Sequence, residues 1–443
     1  MKIVPRALCA LALALSCAAP ALPRQETPKQ LEEHRKVGLK MLKVVKDEIR
    51  KNYYDPKFHG LDLETRFSAA EEKIAQAATG GQVLGVIAQA VLDINDSHTR
   101  FVPPLRDTTP VYGWRMQMIG DACYVTGVMP GSDAETKGIK AGDRLVAIDD
   151  YTPTRKNLWK MQYTYYSLRP KARVRLTLLT PEGREREVEV LTKVQKRRLM
   201  NLFGWIVDLD PVSPDVDDEA GTEPRYAEFG EDLVVCRLPS FNRSEQAVDK
   251  MMTRIAGHKG LILDLRGNPG GRTDALTRFI GYFFDREVKV ADLKMRKDEK
   301  AIKVKPRKTN NFAGRLVVLV DSRSASASEI FARVVQLERR GAVIGDHTSG
   351  SVMQSLRYHY QLGAEDKPIL YGLSLTNADI MMTDGKSLEH TGVAPDELLL
   401  PTPADLQNRR DPVLARAAAL AGVKLTPEQA GDLFVLKDSL TGL

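Results

Sequence analysis

Residues 261–271 read Leu261-Ile262-Leu263-Asp264-Leu265-Arg266-Gly267-Asn268-Pro269-Gly270-Gly271. An apolar run that ends in small residues is typical of a buried strand followed by a tight turn. Glycines in such a turn tolerate positive φ and allow a substrate to approach the backbone closely. The stretch therefore predicts a loop that can present backbone N–H groups to a ligand.

A second stretch of the same design follows further along the chain. It reads Val317-Val318-Leu319-Val320-Asp321 and then Ser322-Arg323-Ser324-Ala325-Ser326-Ala327-Ser328-Glu329-Ile330. This pattern predicts a strand, a serine-rich turn and a helix over residues 329–340. The turn would hold a serine hydroxyl at the junction of strand and helix. An oxyanion-binding loop and a nucleophile are the two parts that an acyl-transfer enzyme must bring together.

The two stretches together resemble the C-terminal-processing and tricorn-type serine peptidases. That family has a strand ending in D-L-R-x-N-x-G-G and a later strand ending in S-A-S-A-S-E, and both appear here in that order. The resemblance implies a crotonase-like ββα-spiral catalytic core, placed at residues 196–402. It also implies that Ser326 is the nucleophile. The implied oxyanion donors are backbone N–H groups of Gly270 or Gly271 and of Ala327.

The processing peptidases of this family activate their serine with a lysine that this chain lacks. The matching segment is Gly345-Asp346-His347-Thr348-Ser349-Gly350-Ser351, so Ser351 stands where the lysine would be. The first lysine after Ser326 is Lys367, well beyond that turn. Because a serine hydroxyl needs a base to take its proton, another base is expected here.

The tricorn branch of the family uses a histidine and a carboxylate instead. Its histidine follows a serine, as in Ser97-His98, and its carboxylate lies in a segment similar to Glu389-His390-Thr391-Gly392-Val393-Ala394-Pro395-Asp396. A histidine can accept a proton near neutral pH, and a carboxylate can fix its tautomer. The resemblance thus implies His98 as general base, Glu389 as orienting carboxylate and Ser97 as a supporting hydrogen-bond partner.

Other interpretations of these histidines remain open. An Asp-x-His-Thr sequence, as at residues 96–99, also occurs in lysine-dependent relatives, where the histidine is not the base. His347 lies in the turn that normally supplies the lysine, so it is an alternative base.

Residues 105–195 have the pattern of short alternating strands. Within them, residues 130–149 read P-G-S-D-A-E-T-K-G-I-K-A-G-D-R-L-V-A-I-D, which resembles the central signature of a PDZ domain. A PDZ groove binds a peptide by strand addition, and backbone N–H groups of a loop hold its terminal carboxylate. The candidate peptide-binding loop departs from the usual glycine–hydrophobic pattern and consists of Tyr112, Gly113, Trp114 and Arg115.

The rest of the chain fits a multidomain α/β protein. Helical periodicity over about residues 28–92 predicts an N-terminal helical cap, assigned to residues 22–104. Residues 403–420 and 427–436 look helical and predict a C-terminal helical tail, assigned to residues 403–443. Residues 208–228, rich in Pro, Asp, Glu and Gly, predict a linker. Strand–helix alternation from 233 to about 401 indicates a layered α/β core.

The first residues have the pattern of a secretory signal peptide, assigned to residues 1–21. Lys2 and Arg6 accompany an apolar run over 7–19 that is too short to span a bilayer. Cys17 leaves a lipoprotein as an alternative. No later segment is apolar enough for an integral membrane span, so we expect an exported, periplasmic or extracellular protein.

Composition narrows the possible partners. The net charge of +7, with 43% hydrophobic and 28% charged residues, is ordinary for a soluble globular protein. The basic residues are scattered, without the blocks or interleaved aromatic residues that track a nucleic acid, so no nucleic-acid partner is expected. No metal site or cofactor is expected either. The expected partner is a polypeptide substrate, and the sequence leaves the oligomeric state open.

These patterns predict an exported serine endopeptidase that hydrolyses unstructured polypeptides through an acyl-enzyme. The alternative is a catalytically inactive peptide-binding protein on the same scaffold, which would use the PDZ groove, since loss of the lysine is also what a degenerate peptidase would show.

Overall fold

A computed structural model describes residues 26–196, 199–202, 205–208, 223–363 and 368–434. The predicted signal peptide and most of the predicted linker lie outside the described residues. The chain is a mixed α/β protein with helices and several sheets, which confirms the predicted class. Among the helices described, none has both the length and the apolar character needed to cross a bilayer.

The N-terminal part is a layer of three helices that leads into one short strand. Thr27, Asp62 and Thr79 cap the helix starts by accepting backbone N–H groups with their side-chain oxygens. The buried helix faces pack against Leu373 and Leu375 of a later strand. The elements are α1 (Pro28–Asn52), a 3₁₀ turn (Phe58–Gly60), α2 (Leu63–Gln76), α3 (Gly80–Leu92) and β1 (Arg100–Val102).

A β-rich region with its own buried core follows. Strands β3 to β7 form one antiparallel sheet in sequence order, and β2 pairs with β8. A π-helical turn (Thr164–Leu168) continues α5. The elements are β2 (Thr108–Val111), β3 (Trp114–Ile119), β4 (Ala122–Val128), α4 (Asp133–Thr136), β5 (Arg144–Ile148), α5 (Leu158–Tyr163), β6 (Arg173–Leu179), β7 (Glu185–Leu191) and β8 (Lys193–Lys196).

A hairpin of β9 (Leu199–Leu202) and β10 (Trp205–Asp208) precedes the largest part of the chain. That part contains a six-stranded sheet ordered β11-β12-β13-β16-β17-β20 and a second sheet in which β1, β14 and β18 pair with β19. Its elements are β11 (Arg225–Phe229), β12 (Leu233–Arg237), α6 (Glu245–Ile255), β13 (Gly260–Asp264), α7 (Thr273–Ile280), β14 (Val288–Met295), β15 (Glu299–Val304), β16 (Arg315–Val320), α8 (Ala327–Leu337), β17 (Ala342–Gly345), β18 (Met353–Leu362), β19 (Ile369–Met382) and β20 (Glu397–Leu398).

The helices of the predicted tail are α9 (Pro403–Gln407), α10 (Pro412–Ala421) and α11 (Pro427–Asp432). Helix α10 packs on one face of the six-stranded sheet, where Leu414 and Ala418 share a buried cluster with Ile262 and Leu319. It is a layer of the core rather than a detached tail.

The order of the six-stranded sheet places the two motif turns side by side. Strands β13 and β16 are parallel neighbours, with Asp264 opposite Leu319. Both are buried on both faces, which accounts for their nearly unbroken apolar sequences. Because parallel neighbours end at the same sheet edge, the glycine turn and the serine turn emerge together.

Candidate active site

Asn268 joins the glycine turn to the serine turn. Its side-chain oxygen accepts the Gly270 N–H at 2.8 Å, and its side-chain nitrogen donates to the Leu238 carbonyl at 2.8 Å. Its backbone carbonyl accepts the Ala325 N–H and the Ser328 hydroxyl, each at 3.0 Å. Since Asn268 is fully buried, these bonds fix the relative position of the two turns.

Asp321, at the end of β16, makes a second connection. One carboxylate oxygen, Oδ1, accepts the backbone N–H groups of Gly267 at 3.0 Å, Arg323 at 2.9 Å and Ser324 at 3.0 Å. A single side chain thereby shapes the serine turn and ties the glycine turn to it.

Ser326 stands in an unusual backbone conformation immediately before α8. Its φ of 55° and ψ of −116° are strained for a non-glycine residue, at a cost on the order of 1–3 kcal/mol. Its N–H donates to the Ser351 carbonyl and to Glu329 Oε2, each at 2.9 Å. Ala327, which follows, is the first residue of α8, where backbone N–H groups have no partner within the helix.

The glycine turn lies directly against this serine. Gly270 has φ of +96°, and a Cβ added there would lie 2.7 Å from Ser326 Cβ and 2.9 Å from the Ala327 nitrogen. Only glycine permits this approach. Because the Gly270 N–H is bound to Asn268, Gly271 is the better oxyanion candidate of the two predicted glycines, together with Ala327.

His98, Ser97 and Glu389 form a hydrogen-bonded chain. Ser97 Oγ lies 2.8 Å from His98 Nδ1 and donates to Glu389 Oε2 at 2.8 Å, and the Ser97 N–H donates to Glu389 Oε1 at 2.7 Å. The carboxylate therefore reaches the imidazole through Ser97 rather than directly. Since the Ser97 hydroxyl proton points to Glu389, Ser97 Oγ accepts the proton of Nδ1, which leaves Nε2 unprotonated.

The environment keeps this imidazole neutral. Burial lowers the pKa of His98 to about 4; the nearby Asp96 opposes the shift and Arg100 adds to it. Burial raises the pKa of Glu389, opposed by hydrogen bonds from the Val352 N–H and from Ser97. A neutral imidazole with an unprotonated Nε2 is the form that a general base requires.

One peptide group connects this chain to the serine turn. The Ser351 carbonyl accepts the Ser326 N–H at 2.9 Å, and the N–H of the same peptide group, at Val352, donates to Glu389 Oε2 at 2.9 Å. The structure thus brings Ser326 and Glu389 to opposite sides of one peptide group. Within the described hydrogen bonds, none joins Ser326 Oγ directly to the His98 ring.

Ser351, which is predicted to stand in place of the family's lysine, lies beside a second serine hydroxyl. Ser351 Oγ lies 3.0 Å from Ser349 Oγ. His347 is exposed, and its backbone carbonyl accepts Arg155 Nη1 at 3.1 Å. Its imidazole has no hydrogen bond to Ser326 in the described part of the chain, and Lys367 lies outside that part.

The predicted peptide-binding loop lies partly in the core of the β-rich region. Tyr112 and Trp114 are 4% and 8% exposed, and the Tyr112 hydroxyl donates to the Tyr165 carbonyl at 2.9 Å. Tyr112 and Gly113 border a cavity of about 200 Å³. Arg115 packs its guanidinium against Gly127. The two aromatic side chains thus belong to the core of this region, and Tyr112 also borders the cavity.

Sequence reasoning gave no role to Glu329, which is fully buried beside Ser326. Its carboxylate accepts four hydrogen bonds at the site. The spacing Ser326-Ala327-Ser328-Glu329 is the S-x-x-E of a capping box, and that signal could have identified it. Asn268 and Asp321, which stood inside the quoted motifs, were missed as well.

No group of three or more His, Cys, Asp and Glu side chains in the described ranges has an arrangement that could hold a metal ion. A strained serine and backbone N–H donors meet at this sheet edge, and a neutral imidazole is linked to them through Ser97 and Glu389. These are the kinds of group that acyl transfer at a serine uses.

Comparison with known families agrees with this class. Residues 232–399 match Peptidase family S41, which confirms the resemblance seen in the motifs. The segment includes Gly270, Ser326, Glu329 and Glu389. It does not include Ser97 or His98.

Known proteins resemble a larger part of the chain. The Tail-specific protease of Haemophilus influenzae is 24% identical over 359 residues, which cover 75% of this chain and 48% of that protein. A probable CtpA-like serine protease of Staphylococcus aureus is 25% identical over 290 residues, 64% of this chain and 51% of that protein. The C-terminal processing peptidase, chloroplastic, of Tetradesmus obliquus is 27% identical over 385 residues, 80% and 76% of the two chains. The chain spans about half the length of the first two.

The crystal structure of mature CPAF has a similar fold. It superposes with a TM-score of 0.65 at 16% identity, covering 85% of this chain and 94% of that chain. At this identity the likeness concerns the fold alone.

Proposed function

We propose that the chain is a serine endopeptidase that cleaves polypeptides through an acyl-enzyme, with Ser326 as nucleophile and His98 as general base. The observation that carries this proposal is the chain from His98 through Ser97 to Glu389, bonded across one peptide group to the backbone of Ser326. These contacts support the proposal because they connect the proposed base and its orienting carboxylate to the backbone of a strained serine.

In the proposed reaction, Ser326 Oγ attacks the scissile carbonyl while its proton passes to His98 Nε2. The imidazolium that forms is stabilised through Ser97 by the Glu389 carboxylate. The N–H groups of Gly271 and Ala327 would bind the oxyanion. His98 then protonates the leaving amine, and water, activated by the same imidazole, hydrolyses the acyl-enzyme. The step requires Oγ and Nε2 to approach to roughly 2.6–3.2 Å when substrate is bound.

The inactive peptide-binding protein is the less supported alternative. Two of its four candidate groove residues, Tyr112 and Trp114, are buried in the core of the β-rich region, and of these two only Tyr112 borders the cavity. The serine turn, in contrast, holds Ser326 in a strained conformation, and Gly270 lies so close to Ser326 that a side chain would not fit there. Strained conformations of this kind cluster at functional sites.

We also propose the finer architecture that the motifs imply. The helical cap is residues 22–104, the PDZ-like domain 105–195, the crotonase-like core 196–402 and the helical tail 403–443. In this scheme the cap supplies Ser97 and His98 to a site whose other groups lie in the core. Because three regions surround the site, unstructured polypeptides are the proposed substrates. Export is proposed from the leader-like residues 1–21.

A fluorophosphonate probe tests the proposal. We expect covalent labelling at Ser326, located by mass spectrometry, and none in Ser326→Ala. The matched control is Ser349→Ala, which removes a nearby exposed hydroxyl and should leave labelling at Ser326. Absence of labelling of the unaltered protein from pH 6 to 9, or labelling that survives Ser326→Ala, would overturn the proposed nucleophile.

A further inference from the structure

Glu329 is a buried carboxylate to which the proposed reaction assigns no step. Its Oε1 accepts the Thr348 hydroxyl at 2.6 Å and the Gly350 N–H at 2.7 Å. Its Oε2 accepts the N–H groups of Ser326 at 2.9 Å and Ser351 at 3.0 Å. One side chain on α8 therefore holds the serine turn and the turn at residues 348–351 together.

The partners of Glu329 explain why this position needs a carboxylate. Both of its oxygens face donors, three of them backbone N–H groups that cannot reverse their role. Burial raises the pKa of Glu329 to about 7, and the four donated hydrogen bonds oppose that rise. An amide in its place would have to set its NH₂ group against at least one of these backbone donors.

The same contacts continue to the segment that carries Glu389. The Thr348 hydroxyl that donates to Glu329 also accepts the Val393 N–H at 2.6 Å. The Gly350 carbonyl accepts the His390 N–H at 2.8 Å. Glu329 is thus the point at which the nucleophile turn, the 348–351 turn and the Glu389 segment are connected.

We propose that Glu329 is a positioning residue that sets the distance between the Ser326 hydroxyl and the base, by fixing both the serine turn and the 348–351 turn. It touches no reacting atom. The inference rests on the proposed function in one respect, that Ser326 is the nucleophile.

The test is Glu329→Gln, which keeps the shape of the side chain and replaces one oxygen by an amide donor. Whichever way the amide turns, the N–H of Gly350 or of Ser351 loses its acceptor. The matched control is Glu338→Gln at the other end of α8. Glu338 contacts the exposed guanidinium of Arg286. Circular dichroism and the thermal midpoint confirm that each variant is folded.

Two measurements are made on both variants. In fluorophosphonate labelling, Glu329→Gln should lower the first-order inactivation constant by about tenfold or more, while the probe's dissociation constant stays within about threefold, because misplacement affects the reaction and not binding. In hydrogen exchange followed by mass spectrometry, peptides covering 324–331 and 346–353 should exchange about tenfold faster, since their N–H groups lose a buried acceptor. Glu338→Gln should change neither.

The outcomes separate this inference from the proposed function. Unchanged exchange in both peptides of folded Glu329→Gln would overturn the inference, as would an unchanged inactivation constant. An unaltered protein that the probe does not label would refute the proposed function, while exchange would still decide whether Glu329 holds the two turns. A larger dissociation constant with an unchanged inactivation constant would assign Glu329 to binding and overturn the positioning role.

Discussion

The imidazole of His98 owes its proposed chemistry to two neighbours and to burial. Ser97 orients its Nδ1, and Glu389 orients Ser97. Burial lowers the pKa of His98 to about 4 from an ordinary value of 6.5, so the ring is neutral at pH 7. Because its pKa is low, the ring is expected to accept the proton of the serine hydroxyl only in the transition state, while the oxyanion that forms is stabilised.

This pKa gives a prediction that needs no substrate. In protein with isotopically labelled histidine, the His98 signal, assigned through His98→Asn, should not titrate between pH 8 and 5.5. Because the folded pKa lies below the unfolded one, the unfolded chain binds more protons between these values. The contribution of His98 to the free energy of unfolding should therefore fall as the pH drops from about 6.5 toward 4, measured as the difference between the unaltered protein and His98→Asn. A titration midpoint near 6.5 would show that His98 is not held as described.

Arg266 anchors the glycine turn to the start of helix α10. Its guanidinium binds Asp264 through Nε and Nη2, each at 2.8 Å, and Asp411 through Nη1 at 3.0 Å and Nη2 at 2.7 Å. Two-point contacts of this kind fix orientation as well as distance. Helix α10 thus supports the glycine turn, which carries the proposed oxyanion donor Gly271.

Asp411→Asn tests this anchor. Asn still caps α10, as Asp411 does by accepting the Leu414 N–H, so the substitution removes mainly the charge. We expect the free energy of unfolding to fall by about 1–3 kcal/mol, because Arg266 keeps only one carboxylate in a largely buried place. Urea unfolding measures the change.

Glu397→Gln is the matched control for that substitution. Glu397 pairs with Arg416 where both side chains are substantially exposed, so its loss should cost less than about 1 kcal/mol. Equal shifts of the urea midpoint in the two variants would show that the Arg266 contact stabilises no more than a surface pair.

The elements that sequence could predict are those whose signals are local. An apolar run followed by glycines, or by Ser326 and its neighbours, specifies its own strand and turn, and parallel pairing brings the two turns together. The links between distant segments have no such signal. Ser97 lies between His98 and Glu389 only because the chain returns after almost three hundred residues, with a separation of 292. Burial of Tyr112 depends likewise on tertiary contacts with Tyr165.

The β-rich region contacts both the serine turn and the segment that leads into the turn at residues 348–351. Gln117 Nε2 donates to Asp321 Oδ2 at 2.7 Å, on the turn that leads to the nucleophile. Arg155 Nη2 binds Asp346 Oδ1 at 2.6 Å, and the Gly120 N–H donates to Asp346 Oδ2 at 2.9 Å. Asp346 leads into the turn at residues 348–351, whose backbone donates to Glu329, so the β-rich region contacts the start of that turn.

Arg155→Ala should loosen that turn from the side of the β-rich region. Asp346 is 5% exposed, and the substitution leaves its buried carboxylate without its cationic partner. We expect a loss of about 1–3 kcal/mol in stability, faster hydrogen exchange at residues 346–351 and slower fluorophosphonate labelling of Ser326. Arg173→Ala is the control, because Arg173 pairs with Glu189 on the exposed surface of the same region and should cost less than about 1 kcal/mol. If Arg155→Ala and Arg173→Ala leave exchange and labelling equally unchanged, the turn is held from within the core alone, and the β-rich region only covers the site.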